Sequence, residues 1–283
     1  LTPELLEAFA SNGADINAQN EDGETALMLS AYSGHLTPEL LDAFISHEAD
    51  INAQNEDGMT ALMYVTRYGH LTPELLETFT HHGADINARD EDGNTALMLS
   101  AREGYLTPEL LGAFISHSAD INALNEGYET ALMWAAKNGH LTPKLLDAFM
   151  KHRANIHIRD SEGNTVLMTL AEKGYLTVDM LDILVKHGAD INIYGKDGKT
   201  TLMLAAQHAS FDTELLDAFV CHGADINARD WKDRTALMWR AQAREAIPQE
   251  LLEAFARNGS EIHLARKNDV MNIKFPSIIS FLS

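Results

Sequence analysis

The sequence predicts an all-α repeat solenoid, in which helix-turn-helix units stack side by side and hairpin-like loops join them. Three observations carry this. The block Leu-Thr-Pro-Glu-Leu-Leu opens at Leu1, Leu36, Leu71 and Leu106, returns as LTPKLL at Leu141, and decays to LTVDML at Leu176 and FDTELL at Phe211, a constant step of 35 residues. A second block, TALM, interleaves with it at Thr25, Thr60, Thr95, Thr130 and Thr235, with TVLM at Thr165 and TTLM at Thr200. A third block, GADIN or a variant, closes units at Gly13, Gly83, Gly188 and Gly223. A short unit in constant register cannot bury its apolar face alone, so its copies must stack on one another.

Within a unit the elements follow in order. Thr25 can cap a first helix, with Leu27, Met28 and Ala31 sharing one face. The Ala31 position recurs as Ala101, Ala136, Ala171, Ala206 and Ala241, with Thr66 the exception, as close helix–helix packing requires. Gly34, Gly69, Gly104, Gly139 and Gly174 then end that helix in the left-handed conformation glycine takes cheaply. Thr37-Pro38 opens a second helix, with threonine as N-cap and proline at the first helical position. Leu40, Leu41 and Phe44 fall at helical spacing. The Phe44 column (Phe9, Phe79, Phe114, Phe149, Phe219 and Phe255, with Leu184 filling the gap) is expected to be core. Ala-Asp-Ile-Asn is expected to be short and extended, leading into an Asn-Glu-Asp-Gly turn.

Composition bounds the function. The 283 residues include 21 basic and 42 acidic side chains, a formal charge of −21. Such a charge repels phosphate backbones, so nucleic acid is not expected as a partner. No apolar run reaches the ~18–20 residues of a spanning helix, and no membrane partner is expected. The single cysteine, Cys221, excludes an internal disulfide and fits a reducing compartment, the cytoplasm of its own or a host cell, or the nucleus. Nothing at the start reads as a secretion signal, because Leu1 falls inside a repeated unit.

D-G-x-T-A-L-M, then G-H, then L-L-x-A-F, then G-A-D-I-N-A resembles the ankyrin repeat, and the resemblance covers essentially the whole chain. That family's unit is typically about 33 residues with a T-P-L-H-x-A block. Here the proline of that block is alanine (Val166 and Thr201 in two units). The histidine is methionine in every copy: Met28, Met63, Met98, Met133, Met168, Met203 and Met238. Losing that histidine removes a side-chain hydrogen bond that the family uses to tie loops together, and a thioether packs instead. The resemblance implies a single solenoid over 1–283. Its parts are an orphan second helix at 1–12, seven repeats over 13–258, and a C-terminal loop and cap at 259–283, with Pro276 breaking the tail. The apolar stretch Ile278, Ile279, Phe281 and Leu282 is read as that cap, the alternative being a lead-in to a further domain. The apolar pattern of the orphan helix leads to the expectation that residues precede Leu1 in the full protein.

Candidate chemistry is sparse. His47, His82, His117, His152, His187 and His222 hold one repeat position, one repeat rise apart (about 10 Å), which is too far for two ligands of one zinc. They read as helix C-terminal residues that favour the dipole and bond free carbonyls. The acidic residues lie at turns and caps. No nucleophile triad, phosphate loop or metal motif is present, so no catalytic residue, metal or cofactor is expected. Cys221 reads as an inert thiol at a helix end. The resemblance also implies that the loop asparagines Asn17, Asn52, Asn87, Asn122, Asn192 and Asn227 match a site hydroxylated in some ankyrin proteins, although a structural role is the reading preferred.

What remains is surface. In the family resembled, loop tips and the exposed side of the first helix line a concave binding face. Carried over, the partner-binding candidates are Tyr32, Tyr64, Arg67, Tyr68, Arg102, Glu103, Tyr128, Glu129, Trp134, Lys137, Lys199, Trp231, Lys232, Arg234 and Trp239. The loop tips turn from acidic to basic along the groove, and residues 1–140 carry 4 basic and 23 acidic groups against 17 and 19 in 141–283. Tyr128 and Asp233 replace tip glycines, so those turns are expected to adopt another conformation. Trp134, Tyr128, Glu126, Glu129 and Glu103 are a candidate cage for a cationic side chain, against a tryptophan half-buried between units. The expectation is a non-enzymatic, monomeric scaffold that binds a protein or peptide, with basic partner segments facing the N-terminal half. The alternative is the targeting arm of a larger enzyme or effector with its catalytic domain outside this chain.

Overall fold

The computed structural model describes residues 1–243 and 246–261. The C-terminal cap expected from 262 onward, with Pro276 in it, lies outside the described residues. Fifteen helices run through those described. The first, α1 (Pro3–Ser11), is a second helix without a first. Seven pairs follow: α2 (Ala26–Tyr32) and α3 (Pro38–Ser46), α4 (Ala61–Arg67) and α5 (Pro73–His81), α6 (Ala96–Glu103) and α7 (Pro108–Ser116), α8 (Ala131–Lys137) and α9 (Pro143–Lys151). The last three pairs are α10 (Val166–Lys173) and α11 (Val178–Lys186), α12 (Thr201–Ala205) and α13 (Thr213–Cys221), α14 (Ala236–Gln242) and α15 (Gln249–Arg257). First helices stack on first helices and second on second. The fold is an all-α solenoid of repeated units.

These helices are far shorter than the ~12–15 residues that hold an isolated helix in water, so caps and stacking must make them. The Thr25 hydroxyl accepts the Met28 N–H, and Thr60, Thr95, Thr130, Thr165, Thr200 and Thr235 repeat the bond in their own units. Thr37 does the same for Leu40 at the second helix, with proline behind it. Each pair then buries a leucine–phenylalanine stripe: Leu41, Phe44, Leu76, Phe79, Leu111, Phe114, Leu146 and Phe149 have no exposed surface, and Leu184 fills the phenylalanine gap as expected. Phe9 does not join this core. It is 52% exposed, with Leu1 and Leu5 beside it, because no described helix packs on the outer face of α1.

Two loop expectations are corrected. Ala-Asp-Ile-Asn is not extended. It folds into a turn in which the Asp15 carboxylate accepts the Asn17 N–H, and the described residues contain one isolated bridge, Gln19 to Thr25, in place of strands. The tips at Tyr128 and Asp233 also keep the ordinary conformation. Their φ angles are 59° and 61°, in the left-handed region occupied by Gly23, Gly58 and Gly93 at the same position, and the Tyr128 N–H bonds the Asn125 carbonyl as Gly58 does that of Asn55. The stack dictates the backbone there, and the side chain accepts a conformation costing roughly 1–2 kcal/mol without glycine.

Methionine in place of histidine leaves the loops tied by other means. The Asn52 amide donates to the Gly83 carbonyl (3.0 Å) and accepts the Asp85 N–H (2.7 Å) of the next unit. Asn17, Asn87, Asn192 and Asn227 make the same pair of bonds. One rung is missing: the position is His157 in the fifth unit, whose own N–H bonds Asn155. A net contribution of about 0.5–1.5 kcal/mol per hydrogen bond gives the prediction. Asn87→Ala is expected to lower stability by about 1–2 kcal/mol in urea denaturation and His157→Asn to raise it by about 1 kcal/mol; equal midpoints for all three chains would contradict this role of the ladder.

Candidate functional site

The constant step makes one column of the first helix visible as a row. Tyr64, Trp134 and Trp239 stand at the same repeat position, two and three units apart. Each ring meets side chains from its own unit and from the unit before, because first helices stack directly.

At the N-terminal end, Tyr64 is only 7% exposed. Its hydroxyl donates to the Glu24 carboxylate of the preceding unit at 2.6 Å and accepts from the Asn55 amide at 3.1 Å. Burial, then the Glu24 carboxylate that takes its hydrogen bond, hold this phenol well above the ordinary tyrosine range, so it stays a donor. Tyr32 and Tyr68 complete a three-ring cluster and remain exposed. Arg67 is exposed beside them.

In the middle, Trp134 is half-buried against the core, with Arg102 of the preceding unit 5.5 Å and Lys137 of its own unit 5.0 Å from the ring centre. Glu129 pairs with Lys137 at 2.6 Å and Glu103 with Arg102 at 2.9 Å. The cage expected for an incoming cation is therefore lined by the chain's own cations, and its carboxylates neutralise them. Tyr128 projects from the adjacent tip, 59% exposed.

At the C-terminal end, Trp239 lies between Lys199 (4.0 Å) and Arg234 (3.7 Å). Beneath it is a residue that sequence reasoning missed. Asp230 is buried, accepts the Trp239 indole N–H (3.1 Å), pairs with the Arg234 guanidinium (2.8 Å) and accepts the Lys232 and Arg234 backbone N–H groups. Burial would raise its carboxyl, but the hydrogen bonds and charge of Arg234 and the Lys232 N–H outweigh that and hold it below the ordinary value. Lys232 is exposed on the same loop, and Trp231 stands out at the tip, 77% exposed, over Gly198. The signal for Asp230 was present: Asn20, Asn55, Asp90, Asn125 and Asp160 occupy its column and accept the same tip N–H groups.

The candidates thus form three clusters along one face rather than one pocket. A shallow hollow between Glu162, Glu172, Gly195 and Lys199 carries mixed charge and is open to solvent. On the opposite row, the histidines sit at second-helix C-termini as expected, but they do not bond carbonyls. His82 meets Asp42 and His222 meets Asp182, each at 2.6 Å and one unit back, while His117 meets the Thr80 hydroxyl at 3.0 Å.

Short paired helices stacked in a fixed register, with varied polar side chains on one face, define a helical repeat protein of the kind that presents surface rather than a cleft. A family model for ankyrin repeats matches residues 2–90, 72–146 and 132–230, and the chain belongs to the ankyrin repeat family. Ankyrin repeats generally mediate protein–protein interaction and are typically non-catalytic modules. No curated protein matched the chain. No helix among the described residues is long and apolar enough to cross a membrane.

Removing one partner from a buried ion pair costs about 3 kcal/mol, and a carboxyl held below its ordinary value stabilises above that value and stops doing so as pH falls through the lower, folded one. Asp230→Ala is therefore expected to lose about 3 kcal/mol at neutral pH in urea denaturation, with the deficit shrinking under acid. A deficit independent of pH would contradict the ionised assignment.

Proposed function

We propose that this chain is a non-enzymatic scaffold that binds a protein or peptide along the first-helix and loop-tip face, which is concave in this reading. Basic partner segments meet the N-terminal half, and acidic or aromatic patches meet the C-terminal tips. The observation that carries it is the row of aromatic clusters whose flanking charge changes sign, from Glu24 at Tyr64 to Lys199 and Arg234 at Trp239. Exposed Tyr128 and Trp231 at the tips add the residue types enriched where interfaces concentrate their energy. The overall negative charge supports a protein rather than a nucleic acid as partner. A single cysteine supports action in a reducing compartment, and no cofactor, metal or second copy is required by this reading.

Tyr128 keeps left-handed backbone at a cost in stability that glycine would relieve, as Asp233 does at its own tip, so one substitution there reads stability and binding separately.

Two outcomes are expected. Partner association, followed by calorimetry or surface capture, should weaken at least about tenfold between low and high salt, since complementary charge steers encounter and orientation; an affinity indifferent to salt would contradict the reading. Tyr128→Gly should raise stability by about 1 kcal/mol while weakening the partner, whereas a variant that is both more stable and equally tight would remove Tyr128 from the interface.

A further inference from the structure

The three aromatic clusters share a lattice and differ in what the chain itself places on the rings. Trp134 has Arg102 and Lys137 over its ring, and Trp239 has Lys199 and Arg234. These are the cation–ring contacts among the described residues. At Tyr64, the position that supplies Lys199 to Trp239 supplies Glu24, and the position that supplies Arg102 to Trp134 supplies Tyr32. The column that supplies Lys137 to Trp134 supplies Arg67 here, but Arg67 makes none of the cation–ring contacts among the described residues, so the N-terminal rings carry no cation of the chain's own and have Glu24 beside them.

Its geometry is open to an incoming group. Tyr32 stands edge-on to Tyr68, with centres 4.6 Å apart at 90°, and Tyr68 lies nearly parallel to Tyr64 at 6.2 Å. That separation is too small to admit a planar group between the rings, so the accessible surface is the outer part of Tyr32 and Tyr68. Glu24 is fixed by the Tyr64 hydroxyl and the Asn20 amide. The first 140 residues hold only 4 basic side chains against 23 acidic ones, so the field there attracts a cation.

We propose that Tyr32, Tyr64 and Tyr68, with Glu24, form a seat for a partner arginine, whose guanidinium lies on the exposed tyrosine surface inside the field of Glu24. The seat does for a partner what the two tryptophans do for the chain's own lysines and arginines. Arginine is favoured over lysine because its planar, weakly hydrated head can lie flat on a ring. This inference rests on the reading that this face binds a protein segment and names one element of the partner.

The test uses the full chain with isotope-labelled tyrosine and tryptophan rings. It is titrated with a short blocked Gly/Ser peptide carrying arginine, and with a twin carrying citrulline, which keeps the shape and loses the charge. Saturable shifts are expected at Tyr32 and Tyr68, about tenfold weaker for the citrulline twin, with Glu24→Gln weakening the arginine peptide about fivefold. Equal response to both peptides, or no response at these two rings, overturns the seat. Shifts at Trp134 or Trp231 alone overturn the seat while leaving the interaction face standing. Because the citrulline comparison needs no variant, it remains decisive even where Glu24→Gln perturbs folding.

Discussion

Every unit of this chain buries its leucine–phenylalanine stripe only against the units beside it, and that stacking constraint governs everything else. It converts a sequence step into a spatial neighbour. Glu24 reaches Tyr64, Lys199 reaches Trp239 and Asp42 reaches His82, each from one unit to the next. The Asn17 and Asn52 rungs bind successive loops by the same translation. None of these helices would persist alone, so the side chains on the exposed face are held in place by neighbours rather than by their own element.

A consequence is that the backbone tolerates drift in sequence without changing shape. Glu48, Ser118 and Arg153 take left-handed backbone where other units have glycine, as Tyr128 and Asp233 do at the tips. The stack imposes the conformation and the local residue bears the strain. Surface columns are freer still. One column carries Glu24, Met59, Asn94, Glu129, Asn164, Lys199 and Arg234 in turn, and its change of charge alters what each aromatic ring faces. A repeat scaffold can vary its partner along its length by this route while every unit keeps one fold.

Much of this was legible in the sequence, because period, caps and glycine stops are local signals that stacking only reinforces. The helix pairs, threonine caps and phenylalanine column followed from Thr25, Pro38 and Phe44. Whatever depends on the neighbour was read less well. Tyr64 lay among the candidate groove residues, yet its ring is mostly buried beneath Tyr32 and Tyr68. Tyr128 was expected to remodel its turn because a side chain disfavours positive φ, and the stack overrides that preference. Asp230 escaped notice because its column reads as turn chemistry, and only the adjacent Trp239 and Arg234 turn it into a buried ion pair. The cage at Trp134 failed to anticipate Arg102 and Lys137, which point at the ring from two units.

The neighbour-to-neighbour register is tested most directly by a double-mutant cycle on Glu24 and Tyr64, forty residues apart in sequence and 2.6 Å apart across the stack. Glu24→Gln, Tyr64→Phe and the pair together, compared by urea denaturation, should show a coupling of about 1 kcal/mol, above the ~0.3–0.5 kcal/mol within which independent sites add. Simple additivity of the two changes would mean that these units do not meet in the register described, and the row of aromatic seats would not exist.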